Sequence, residues 1–107
     1  VPNAAQTYGI ILGYKDNEDD YFFYYIDPNG VVTLTYFDGV NNNIINSYTI
    51  PSYSVTKRYN LAVSVLSKKL TCSIDGTILF KYVNDESFVD SYFGLKCELS
   101  GTVIYVM

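Results

Sequence analysis

Histidine and tryptophan are missing altogether from this 107-residue chain, and cysteine, proline and methionine occur only two, three and one times. Without histidine the commonest general base and the commonest zinc ligand are gone, and with them every Ser-His-Asp or Cys-His nucleophile arrangement. Basic residues are few as well. Lys15, Lys57, Arg58, Lys68, Lys69, Lys81 and Lys96 stand against eleven acids, for a formal net charge of -4. So few dispersed cations do not line a groove that neutralises phosphates, which argues against nucleic acid as a partner. No apolar run reaches the length of a bilayer span, and no charged segment followed by an apolar one opens the chain. A start at Val1 reads as a mature end, a processed fragment or a trimmed chain. Phosphate-cradling glycine loops and CxxC pairs are also lacking.

What remains is a folding composition. With 49% hydrophobic and 17% charged residues the chain lies well away from the signature of disorder, and its length accommodates one domain, residues 1–107. Apolar residues recur at period two and no window shows a helical stripe, which predicts an all-β protein. The expected strands are 7–14, 21–27, 31–37, 44–50, 59–66, 70–75, 77–82, 92–98 and 102–106, a spacing that suggests an antiparallel sandwich or barrel. Asn29-Gly30, Asp38-Gly39 and Asp75-Gly76 mark three hairpins, because these residues tolerate the positive φ of tight turns. Pro28 and Pro51 lie at strand ends, where a missing N–H costs no ladder bond. The one candidate helical turn, Asn84 to Phe88, is long enough only for a connector.

Alternation also assigns faces. It turns Tyr59, Leu61, Val63 and Val65 to the core, together with Leu70, Cys72 and Ile74, and Phe93, Leu95 and Cys97. The two inward cysteines are compatible with one disulfide or with two packed thiols, and their number does not settle the compartment.

The succession "YGIILGYKDNEDDYFFYYIDPNG", "YNLAVSVLSKKLTCSIDGTILF" and "YFGLKCELSGTVIYV" resembles the concanavalin A-like, laminin-G-like jelly-roll superfamily of extracellular sandwiches. There a glycine-containing strand runs into a tyrosine-rich one, a valine-alternating strand leads to an Asp-Gly hairpin, and a Gly-Leu strand follows. The resemblance covers nearly the whole chain and implies an antiparallel jelly roll, secreted or at the cell surface. Members usually carry further strands before the segment equivalent to Tyr8, so the chain would be an incomplete or minimal member. A sandwich short of an outer strand leaves an unpaired edge, from which a homodimer or a complementing chain is expected.

Two stretches could carry function. The loop Asp16, Asn17, Glu18, Asp19, Asp20 offers oxygen ligands of the kind calcium takes, and Asp16, Asp19 and Asp20 are its calcium candidates. It has neither the glycine nor the register of an EF-hand, and a solvated hairpin loop is the plainer reading. In the aromatic run, Phe22, Tyr24 and Ile26 are expected in the core. Tyr21, Phe23 and Tyr25 then face outward, with Thr33, Thr35 and Phe37 beside them across the hairpin. Rings that stack on sugar C–H faces, next to short hydroxyls, suit carbohydrate, with Tyr21, Phe23 and Tyr25 as platform and Thr33 and Thr35 as polar partners. The competing reading is that aromatics merely cover one another on a pleated surface, and the lack of tryptophan favours it. Catalysis is not expected. Glu18, Glu86 and Glu98 are far apart, and the Glu-x-Asp-x-x-Glu strand motif of jelly-roll glycanases is absent. The expected function is that of a non-catalytic carbohydrate-binding module, needing no cofactor beyond optional calcium. The alternative is a structural or protein-interaction module without a small-molecule site.

Overall fold

A computed structural model describes residues 7–14, 20–54, 57, 59–84, 88, 92–99 and 102–106. The strands are β1 (Thr7–Tyr14), β2 (Tyr21–Ile26), β3 (Val31–Phe37), β4 (Asn42–Thr49), β5 (Leu61–Leu66), β6 (Lys69–Ile74), β7 (Thr77–Val83), β8 (Tyr92–Leu99) and β9 (Thr102–Val106). They form a six-stranded sheet ordered β4-β3-β2-β1-β8-β9 and a three-stranded sheet ordered β5-β6-β7. All pairings are antiparallel. The result is an antiparallel β-sandwich.

The core lies between the sheets. Leu12, Phe22, Tyr24, Ile26, Val32 and Leu34 of the large sheet meet Leu70, Cys72, Ile74 and Phe80 of the small one. Burial of each such side chain contributes about 1.5–3 kcal/mol, and the period-two pattern is what aims them all at one layer. Tyr24 is fully buried, and its hydroxyl donates to the carbonyl of Ser73 at 2.8 Å, so that the two sheets are tied by a satisfied polar group. In β5 the alternation is as expected, with Leu61, Val63 and Val65 half-buried and Ala62, Ser64 and Leu66 exposed. The inward assignment of Phe93, Leu95 and Cys97 falls on side chains outside the described residues, as does the middle of the connector after Asn84. Cys72 is a free buried thiol, which removes the disulfide from the two alternatives.

Each of the three expected turns closes a hairpin, by different means. Between β6 and β7, Asp75 (φ 47°) and Gly76 (φ 84°) both adopt positive φ, the geometry that follows strand twist in a two-residue loop. Between β2 and β3, only Gly30 does (φ 81°). There the Gly30 N–H donates to the Asp27 carbonyl at 3.1 Å, and the Asp27 carboxylate accepts from the N–H groups of Asn29 and Val31 at 2.8 and 3.1 Å. Asp38 organises the β3–β4 turn in the same manner, accepting from the N–H groups of Val40 and Asn41, and these bonds hold its carboxyl below its ordinary range.

Candidate functional site

The outward face of the large sheet is set by cross-strand register. Tyr21 stands opposite Phe37, Phe23 opposite Thr35, and Tyr25 opposite Thr33. Because Phe22, Tyr24 and Ile26 point into the core, the alternate residues of β2 turn away from the small sheet, so the five expected residues do share one face. The same rows continue into β1, where Ile11 pairs with Phe23 and Gly9 with Tyr25, and into β4, where Ser47 pairs with Thr33, Ile44 with Thr35 and Asn42 with Phe37.

Burial divides this face into a floor and a rim. Phe23 is 6% exposed, Thr33 and Thr35 are each 4% exposed, and Ile11 is buried with them. Tyr21, Tyr25 and Phe37 are half-buried, and Asn42, Ser47 and Thr49 are exposed. Thr33, Thr35 and Phe23 therefore lie on the expected face but are buried in its floor and are not open to solvent. Each threonine is shorter than the β2 ring it faces, and the Thr35 hydroxyl turns down to the Phe23 carbonyl at 3.4 Å. The Phe23 ring is stacked against Tyr25, with centroids 4.6 Å apart and planes at 22°, so that it props Tyr25 instead of presenting its own face. Tyr21 packs against Phe37 at 5.3 Å. On β1, a Cβ at Gly9 would run into the Tyr24 carbonyl and lie 2.6 Å from Tyr25 Cβ, so the close approach of β1 and β2 beneath Tyr25 needs a residue without a side chain.

This buried outer layer was missed by face assignment alone. The signal was present: "GIIL" in β1 and "YFFYYI" in β2 do not alternate with polar residues, which is how strands covered on both faces read. Of the calcium candidates, Asp16 and Asp19 lie outside the described residues. Asp20 accepts a hydrogen bond from the Tyr36 hydroxyl at 2.8 Å, a core-side tyrosine packed on Phe22. Among the described residues no three potential metal ligands come together.

A second aromatic group, not anticipated as a group from the sequence, packs against the core. Tyr53 stacks on Tyr59 at 5.3 Å, Lys57 lies 5.0 Å from the Tyr59 ring centroid, and the Tyr8 hydroxyl donates to the Tyr59 carbonyl at 3.3 Å. The Ser54 N–H donates to the Tyr59 hydroxyl at 3.2 Å. Desolvation, reinforced by the neighbouring phenols and by acids (Asp75 at Tyr8, Asp27 at Tyr53), pushes the Tyr8 and Tyr53 hydroxyls above their ordinary pKa. Tyr8 and Tyr59 spend their hydroxyls on backbone groups, and Tyr8 and Tyr53 pack against the core that Tyr59 joins, which makes the group a closure of the core.

No family model matches the chain, and no curated protein does. Among solved structures it is similar to the carbohydrate binding module CBM66 from Bacillus subtilis, with a TM-score of 0.69 and 17% identity over 99% of this chain. The match takes in 65% of that module, so the chain spans a little under two thirds of its length. At this identity the likeness speaks to the β-sandwich fold.

Proposed function

We propose that the protein is a non-catalytic carbohydrate-binding module of a secreted or cell-surface protein, and a minimal relative of the concanavalin A-like, laminin-G-like sandwiches. The observation that carries this reading is the aromatic rim of the outward face. Tyr21, Tyr25 and Phe37 are half-open rings seated on a buried layer of Phe23, Ile11, Thr33 and Thr35. A ring already propped by its neighbours loses little freedom when a sugar stacks on it, which favours binding. With the threonine hydroxyls at the floor, the polar partners move one strand outward to Asn42 and Ser47 of β4, exposed on the same face. The fold-level likeness to a carbohydrate-binding module agrees with this reading.

The test is a screen of the purified protein against a panel of glycans and polysaccharides, with calcium and with chelator. Binding independent of calcium is expected, weakened about tenfold by Tyr21→Ala or Tyr25→Ala. Affinity that survives both substitutions in folded protein overturns the platform. Binding that needs calcium moves the site to the acidic loop, and the absence of any ligand in both conditions leaves the protein-interaction reading.

A further inference from the structure

We infer that β4 is a self-association edge. Two copies of the chain pair their β4 strands antiparallel about a twofold axis, carrying the six-stranded sheet without a break through the dimer. Four observations converge on this strand. β4 ends the sheet order, so one side of its backbone has no strand beside it among the described residues. On either side of the bulge at Ile45, every second residue of such a strand turns its N–H and C=O outward. Its side chains are open on both faces, only Ile45 being half-buried. Half of the exposed large apolar side chains among the described residues, Val40, Ile44 and Tyr48, belong to β4 and the turn before it, with Ile44 at 71% exposure.

The fourth observation identifies the occupant. From Gly39 to Thr56 no residue carries a charge, the longest such stretch in the chain. Natural edge strands are guarded by lysine, by proline, by a bulge or by a short length, and β4, of eight residues, has no lysine and no proline and carries only the bulge at Ile45. A charged partner finds nothing on this strip to recognise. A second copy, itself of net charge -4, finds on this strip a surface on which two such molecules meet without opposing like charges. Antiparallel pairing of a strand with itself is also isologous, so the assembly closes as a dimer.

A twofold axis perpendicular to the sheet keeps both outward faces on the same side. If that face binds carbohydrate as proposed above, the dimer presents two platforms to one polymer. The dimer itself does not depend on that reading.

Light scattering coupled to size exclusion, carried to about 1 mM protein, tests the pairing. The expected mass rises from monomer to dimer and stops there. Ile44→Lys and Tyr48→Lys each place like charges across the twofold and return the protein to monomer with an unchanged circular dichroism spectrum. Ile78→Lys, at another exposed apolar position on the small sheet, leaves the dimer intact. A wild-type monomer at the highest concentration overturns the proposal. So does a mass that grows past dimer, which would mean head-to-tail contacts, or a dimer that both folded β4 variants retain. Glycan affinity measured on the monomeric Tyr48→Lys variant, whose position lies in the core-facing row of β4, reports separately on the binding face.

Discussion

Cys72 sits with no exposed surface between the two sheets, and burial pushes its thiol pKa up to about 12. The thiolate is the reactive form, so a thiol held neutral and shielded is inert in the native state. Iodoacetamide is expected to leave Cys72 unmodified in buffer. In denaturant without reductant it should add two alkyl groups per chain, one at each cysteine, as read by intact mass. Uptake of none would mean that the two are bridged. Cys72→Ala should cost about 1–2 kcal/mol in urea unfolding, by analogy with other large-to-small core changes. Gly30 and Gly76 form a second contrast at this scale. Both need positive φ, but a Cβ at Gly76 meets open space, whereas one at Gly30 would fall 2.3 Å from the Tyr53 ring. Gly76→Ala should cost about 1–2 kcal/mol from backbone strain alone, and Gly30→Ala about 2–4 kcal/mol, because it also displaces Tyr53 from its stack on Tyr59. Equal costs in denaturant melts would show that Tyr53 moves aside freely.

At the scale of elements, β2 stands apart because both of its faces are covered. Its core face joins the small sheet through Tyr24 and Phe80, and its outer face rests on Ile11 and carries the Phe23–Tyr25 stack. Substitutions there test stability and function together. Phe23→Ala removes a buried ring and should destabilise the fold by about 3–5 kcal/mol. Tyr21→Ala and Tyr25→Ala, at half-open positions, should cost less and act on the ligand, a separation that thermal melts beside binding curves would reveal. Conversely, the β6–β7 hairpin is held from outside its own strands. The Asp75 N–H donates to the Asn60 carbonyl at 2.9 Å, and the Asp75 carboxylate accepts from the Asn60 N–H at 2.9 Å. That reciprocal pair fastens the turn to the start of β5 and explains why a short three-stranded sheet keeps its register.

For the molecule as a whole, the ionisable groups shifted most share one direction. Cys72, Tyr24, Tyr8 and Tyr53 all have raised pKa values, with desolvation as the leading cause in each. For an acid that is neutral when protonated, a raised folded pKa means that the unfolded chain releases its proton first. Stability is therefore complete below the unfolded thiol and phenol values, about 8.5 and 10, and is lost as pH climbs toward the folded ones. Each such group steepens the loss by up to about 1.4 kcal/mol per pH unit. Urea midpoints should be level from about pH 7 to 8 and fall above about pH 9, with Cys72→Ala showing a shallower decline at the start of that window. A midpoint flat to about pH 11 would contradict the burial of these groups. Asp20 is already engaged by Tyr36, so the melting temperature should be the same in millimolar calcium and in chelator.

The sequence by itself determined the nine strands and their order along the chain, three of the hairpins, and the inward faces of β2, β5 and β6. Period-two alternation and turn residues with positive φ are local properties, and a chain segment carries them wherever it is placed. Strand ends moved by a residue or two, as at β4, which runs from Asn42 to Thr49 and so begins before its apolar run. Sequence also brought Tyr21, Phe23, Tyr25, Thr33 and Thr35 onto one face, because a hairpin of known register pairs them directly. Only the tertiary structure decided which of them remain open. Whether an outward side chain is rim or floor depends on its cross-strand neighbours and on the next strand over, and β1 sits beside β2 with Gly9 and Ile11 while β4 lies bare at the edge. The joining of Tyr8 to Tyr59, and the place of β4 at the edge of the sheet, were likewise decided there. They arise from contacts between segments distant in sequence, and no local pattern encodes a neighbour that the chain supplies only after it has folded.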